Sequence, residues 1–195
     1  MATKPGFQDP SYFRPRDLEA KGVSFGDLQR MTAEGAVEKV GRGLYHFSDA
    51  EVTELDTIAA VCARVPEGIV CLLSALAVHD IGTQLPSEVW IALDRKKRKP
   101  QVEDLPVHLV RFSGPMLRYG IEAREIQGVR VQITNPARTV IDCFRYRNKI
   151  GLDVGLEALL DVLKRRIATP NELVRAAEAC RIATVLRPYL VAVIS

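Results

Sequence analysis

The stretch that most constrains the fold runs from Phe13 to Asp49, where two short helical segments are followed directly by a hairpin. In FRPRDLEAKG, Pro15 suits the first turn of a helix, Asp17 and Glu19 favour its N-terminal dipole, and Gly22 suits its exit. In VSFGDLQRMTAEG, Ser24 is an N-cap with Asp27 three residues on, Leu28 and Met31 stand at i and i+3, and Gly35 is the stop. The strand-like AVEKV then meets Gly41-Arg42-Gly43 and returns as LYHF, which predicts a β-hairpin with a glycine-rich turn. Two helices joined by a tight turn and followed by a hairpin have the order of a winged helix-turn-helix, in which the second helix enters the DNA major groove and the hairpin is the wing.

That order assigns DNA contact to named side chains. With Leu28 and Met31 facing inward, Phe25, Gln29 and Arg30 are left for the groove, with Ser24 at the cap. Gln29 and Arg30 can make bidentate contacts to adenine and guanine edges, each worth roughly 1 to 3 kcal/mol of base discrimination. The flanking glycines let the backbone take φ > 0 and leave Arg42 unobstructed at the wing tip, where its guanidinium can reach a phosphate or the narrow minor groove. Lys39, on the same hairpin, is taken with it. The alternative stays open at this level: the polar face of an amphipathic helix and a solvated turn arginine.

Residues 1 to 12, with Pro5, Gly6 and Pro10, predict an irregular lead-in. After Thr53 the pattern becomes that of buried helices, ELDTIAAVCARV and then IVCLLSALAVHDIG, with a break at Pro66 to Gly68. From Glu88 the period is two, in EVWIALD, PVHLVRF, IEAREIQ and VRVQIT, which predicts three or four strands of a mixed or antiparallel sheet. The remainder reads as helical, starting on Pro136 and again on Pro170, with Pro188 expected to break the last segment. The expected fold class is α+β: a winged helix-turn-helix over residues 1–50, then a mixed α/β domain over 51–195 with a small sheet and a helical C-terminus.

The net charge of +3 on 195 residues does not by itself identify a nucleic-acid partner, so clustering has to carry that argument. The densest cluster is Arg95-Lys96-Lys97-Arg98-Lys99, between two of the strands. Five adjacent cations repel one another and predict an exposed, mobile loop, which either binds phosphate or an acidic partner or serves solubility alone. No apolar run approaches the ~20 residues that span a bilayer, and the start lacks the order of a secretion signal, so the expected location is the cytoplasm, with no membrane partner.

Catalytic chemistry finds little support. Cys62, Cys71, Cys143 and Cys180 match no CxxC spacing and lie among aliphatic residues, as reduced core thiols do. The scattered His46, His79 and His108 suggest no metal site. Asp80, Asp94 and Lys96 loosely imitate the acids and lysine of a metal-dependent nuclease, but an Asp-x-Lys inside a basic run arises easily by chance. No catalytic residue, metal or cofactor is assigned.

The order DLEAKGVSFGDLQRMTAEGAVEKVGRGLYHFSD, LLSALAVHDIGTQLPSEVWIALDRKKRKP and YGIEAREIQGVRVQITNPARTVIDCFRYR resembles the AbiEi-type antitoxins, transcriptional regulators of type IV toxin-antitoxin and abortive-infection systems. Its most specific pieces are VGRGLYH, Ser74 to Leu76, and Pro136 to Asp142. The resemblance implies an N-terminal winged helix and a C-terminal α/β antitoxin domain. It further implies repression of the protein's own operon through inverted repeats in double-stranded DNA. A cognate nucleotidyltransferase toxin would be counteracted, by direct contact or by effect alone. Read from the residues, Arg138 and Asp142 stand at i, i+4 on the helix opened by Pro136, a spacing that makes a structural salt bridge, worth a few tenths of a kcal/mol if exposed; toxin contact or interdomain anchoring is the alternative. A protein-binding module with a degenerate winged helix is the other non-enzymatic reading.

Overall fold

The side chain of Ser24 caps helix α2 (Phe25–Ala33), and Gly35, at φ 73°, lets the chain leave that helix for strand β2 (Val37–Gly41). The structure, a computed structural model, describes residues 12–19, 22–41, 43–49, 53–102 and 105–194, and is α+β. It divides into two compact units, residues 1–66 with 124–131, and residues 67–123 with 132–195.

In the first unit, β1 (Tyr12–Phe13) and α1 (Pro15–Glu19) precede α2, and β2 pairs with β3 (Leu44–Phe47) as an antiparallel hairpin. β1 pairs antiparallel with β3, Phe13 opposite Tyr45, so the sheet order is β1-β3-β2. Phe13, Leu18, Leu28, Val37 and Phe47 form a small buried core against which Val23, Met31 and Tyr45 pack. Aromatic contact reinforces it, the Phe13 and Phe47 rings lying 4.7 Å apart. The register slips between Lys39 and Gly41, a bulge just before the turn. Arg42 and the lead-in 1–11 lie outside the described residues.

Helix α3 (Glu54–Arg64) follows a full capping box between Thr53 and Asp56. The sequence reading puts this helix after the boundary at residue 50, whereas its packing groups it with the first unit. It lies on β2, and Arg64 Nε donates to the Val40 carbonyl at 3.2 Å.

The second unit contains most of a five-stranded mixed sheet, order β6-β5-β4-β8-β7, of which residues 124–131 fall in the first unit. The expected helix over IVCLLSALAVHDIG is corrected here. Ile69–Val70 is strand β4, and helix α4 begins only at Leu72 and ends at Val78. A short unbroken apolar run cannot separate buried strand from buried helix by periodicity, and tertiary pairing decides. Ile69 and Val70 are antiparallel to Ala92 and Ile91 of β5 (Val89–Asp94) and parallel to Gln132 and Ile133 of β8 (Val129–Thr134). Leu72 makes the change of direction at φ 51°, a left-handed conformation for a fully buried leucine. The SAL motif has a structural role at this point. Ser74 is buried, and its Oγ accepts the Trp90 N–H at 2.9 Å, satisfying β5 from the side.

Strand β6 (Val107–Phe112) runs parallel to β5, from Val89 opposite Val107 to Asp94 opposite Phe112; β7 spans Ile121–Ile126. Helices α5 (Pro136–Arg145), α6 (Arg147–Ile150), α7 (Leu152–Lys164), α8 (Pro170–Ala179) and α9 (Ala183–Ile194) complete the unit, and α5 touches α4, α6, α7, α8 and α9. Pro188 does not break the last helix, as the sequence suggests it should, but lies inside α9. Packing on both sides of the proline offsets its missing hydrogen bond: Leu186 and Leu190 are buried, and Tyr189 meets Phe144 with ring centres 5.2 Å apart. All four cysteines are free and buried, and burial pushes their thiols up, that of Cys62 to about 12.

Candidate nucleic-acid interface

The outer face of α2 is organised by one carboxylate. Ser24 is extended (φ −75°, ψ 161°), and its Oγ accepts the Asp27 N–H at 3.2 Å. Asp27 Oδ2 in turn accepts the Ser24 N–H at 3.2 Å and the Ser24 hydroxyl at 2.6 Å, so Asp27 completes a capping box. These bonds from Ser24, with Arg30 beyond them, hold the Asp27 carboxyl below the usual carboxylate range. The remaining oxygen, Oδ1, accepts Arg30 Nη2 at 2.7 Å. The other N–H groups of Arg30 have no partner among the described residues.

Phe25, half exposed, shares a face with the exposed Gln29 one turn on, and Arg30 is exposed beside them. Leu28 is buried and Met31 packs on the core, so the inward and outward sets are those that the spacing predicts. Lys39 is exposed on β2, opposite Tyr45; Arg42 is among the residues not described. The structure therefore brings together Ser24, Phe25, Gln29 and Arg30. Asp27, which fixes Arg30, is legible in the sequence only as a cap, although its i, i+3 spacing to Arg30 also marks an ion pair.

The basic run is exposed, as its charge predicts, and it sits on a bonded turn. Arg95 to Lys99 are exposed, but the turn is bonded from several sides. The Asp94 carboxylate accepts the Lys96 N–H at 2.9 Å, the Asp94 carbonyl accepts the Lys97 N–H at 3.0 Å, and Lys97 Nζ meets Glu67 Oε1 at 2.7 Å. Arg111 Nη1, reaching across from β6, donates to the carbonyls of Asp94 at 3.0 Å and Lys97 at 2.8 Å. These bonds hold the turn backbone from several sides and leave the cationic side chains of Arg95, Lys96, Arg98 and Lys99 exposed around it.

Arg138 and Asp142 are not an exposed salt bridge. Both side chains are wholly buried, with Arg138 Nε donating to Asp142 Oδ1 at 2.9 Å. Arg138 Nη1 donates to the Tyr119 carbonyl at 2.7 Å, and its guanidinium carbon lies 5.0 Å from the centre of the Phe112 ring. Asn135 caps the helix by accepting the Arg138 N–H at 2.9 Å. Burial pushes the Asp142 carboxyl up to about 6 despite the arginine beside it. Neither side chain offers surface to a partner; the motif ties α5 to the segment before β7.

The two acids of the nuclease-like reading have other partners. Asp80, at φ 54°, pairs with Arg165 Nη2 at 2.9 Å, and Asp94 holds the backbone of the basic turn. Among the described residues no group of three or more His, Cys, Asp or Glu is placed to hold a metal ion, and no helix is long and apolar enough to cross a membrane.

Residues 8–47 match the family model described as transcriptional regulator, AbiEi antitoxin, which supports the family that the sequence resembles. The matched segment contains α1, α2 and the β2–β3 hairpin. No curated protein matches the chain.

Proposed function

We propose that this chain is a DNA-binding antitoxin and transcriptional autorepressor, non-enzymatic and acting in the cytoplasm. Its first unit works as a winged helix-turn-helix on inverted repeats of its own operon. The observation that carries the reading is the outward row Phe25, Gln29 and Arg30 on a capped helix, backed by an antiparallel sheet of order β1-β3-β2, within the segment matched to a regulator family. In this reading α2 enters the major groove, where Gln29 and Arg30 read base edges and Phe25 offers apolar contact. Ser24, Lys39 and Arg42 contact the backbone and fix the register, and the turn Arg95 to Lys99 adds sequence-independent affinity. The antitoxin role falls to residues 51–195 and counteracts a nucleotidyltransferase toxin, by contact or by effect alone.

The test is binding to DNA from the region upstream of its own gene and to random DNA of equal length, each at two salt concentrations. Gln29→Ala with Arg30→Ala should erode the preference for the upstream DNA, while Arg42→Ala should weaken binding to both DNAs alike. Equal affinity of the parent protein for both DNAs, or no binding to either, would overturn the reading.

A further inference from the structure

Three charged residues of α5, Arg138, Asp142 and Arg145, stand at i, i+4 and i+7 and so share one side of the helix. The row has one more positive than negative charge, and its first two members are sealed from solvent. Arg145, at the end of the helix, is half-buried and forms no ion pair among the described residues. It donates through Nη2 to the Cys180 carbonyl just past α8, and its Nε is buried without a partner. The cavity beside it, about 380 Å³, is lined by Ser113, Gly114, Pro115, Met116, Arg145 and Arg181, with Ala179 and Cys180. Arg181 is exposed, stands at φ 55°, and its side chain has no partner among the described residues.

Two guanidinium groups and a hydroxyl therefore border one hollow whose described lining includes no carboxylate. The Cys180 thiol, raised by burial, stays neutral there and does not repel an anion. Arginine forks match the oxygens of a tetrahedral oxyanion in charge and geometry, and a partly buried site strengthens such bonds. The volume is in the range of small-molecule sites rather than that of a lone ion. Pro115, Met116 and Ala179 supply an apolar wall for the remainder of a ligand.

We propose that the cavity between Ser113–Met116, Arg145 and Arg181 binds a small organic phosphate, its phosphate on the two arginines and Ser113 and its organic part against Pro115, Met116 and Ala179. The site is separate from DNA reading and is tested without DNA, so its failure and that of the proposed function are distinguishable.

The experiment titrates the intact chain with phenyl phosphate, phenol and inorganic phosphate, followed by calorimetry and by backbone amide shifts. Phenyl phosphate should bind at about 1 mM or tighter, inorganic phosphate more weakly, and phenol not measurably. Arg181→Ala and Ser113→Ala are exposed changes that leave the fold intact, and each should weaken phenyl phosphate by about tenfold. Arg145→Lys keeps the charge but removes the fork, and should weaken it as well. The triple change Lys96→Ala, Lys97→Ala and Arg98→Ala should leave binding unchanged. Absence of binding by the parent, binding unaltered in Arg181→Ala, or binding abolished by the triple change would each overturn the proposal, the last because the phosphate would then sit on the basic turn. Inorganic phosphate binding as tightly as phenyl phosphate would reduce the site to a simple anion site and overturn the organic-ligand claim.

Discussion

Asp27 holds Arg30 across one turn of α2, Oδ1 to Nη2 at 2.7 Å, while its other oxygen holds Ser24. One carboxylate thus caps the helix and sets the direction of the arginine that the proposed function places in the groove. A guanidinium restrained on one edge keeps its opposite edge free for a bidentate contact, with less rotamer freedom left to lose on binding. The same carboxylate repels phosphate, so it trades general affinity for selectivity.

Asp27→Asn should therefore raise affinity for random DNA while lowering the ratio of upstream to random affinity by about tenfold, the scale of one base contact. Competition binding at a single salt concentration measures that ratio. An unchanged ratio would mean that Arg30 is a solvated side chain.

Stability should carry two opposed pH signatures. The folded-state pKa of Asp27 and Glu172 is depressed by their cap bonds, so their contribution is present above the ordinary carboxyl pKa and is lost as pH falls through the lowered value. Asp142 is raised from 3.8 to about 6, so its contribution is full below 3.8 and is lost as pH rises through about 6. Urea midpoints of the parent and Asp142→Asn across that window check this, with a flatter profile expected for the variant between 3.8 and about 6.

The buried pair should be strongly non-additive. Arg138→Met leaves the Asp142 carboxyl without its nearest cation and should cost about 3 to 5 kcal/mol. Arg138→Met combined with Asp142→Leu should cost clearly less than the sum of the two single changes, because the uncompensated charge disappears. Denaturant unfolding of the four proteins gives the coupling, and additivity would show that the pair is held by shape alone.

Arg111→Ala should loosen the basic turn without altering the five cations it carries. The carbonyls of Asp94 and Lys97 are left without a shared donor, at a cost of roughly 1 to 3 kcal/mol, and the Lys96 and Lys97 amides should exchange faster. Replacing Lys96, Lys97 and Arg98 by alanine should instead make the salt dependence of DNA binding shallower, by up to ~0.9 for each phosphate that is no longer neutralised. Hydrogen exchange and a salt titration separate the two effects.

Local chemistry is legible wherever it acts within a few residues. Ser24 and Asp27, Pro136 at the start of α5, Gly35 after α2, and the inward pair Leu28 and Met31 are all neighbours in sequence, and their roles follow from spacing. What depends on distant partners is not legible. Arg111 pins the basic turn only because β6 runs parallel to β5 and brings Arg111 opposite Leu93. Arg138 and Asp142 have the spacing of an exposed pair, and only tertiary packing makes the pair internal, with the Phe112 ring against the guanidinium, the Tyr119 carbonyl accepting from it, and α4, α7 and α8 packed on the helix. Ile69 and Val70 have no helical or strand period of their own, and the strands on either side decide the matter.

The position of β4 has a consequence for the order of events during folding. This two-residue strand is the middle of the sheet, yet its parallel neighbour β8 comes much later in the chain, after β5, β6 and β7. The β4–β5–β6 half can assemble early, but one side of β4 then presents unpaired backbone until Gln132 and Ile133 arrive. Pairings this remote in sequence are slow to form because loop closure precedes any gain from contact. A nascent or truncated chain ending before β8 would carry an open, apolar strand edge, so the second half of the protein is a closing element against self-association as much as a set of surfaces.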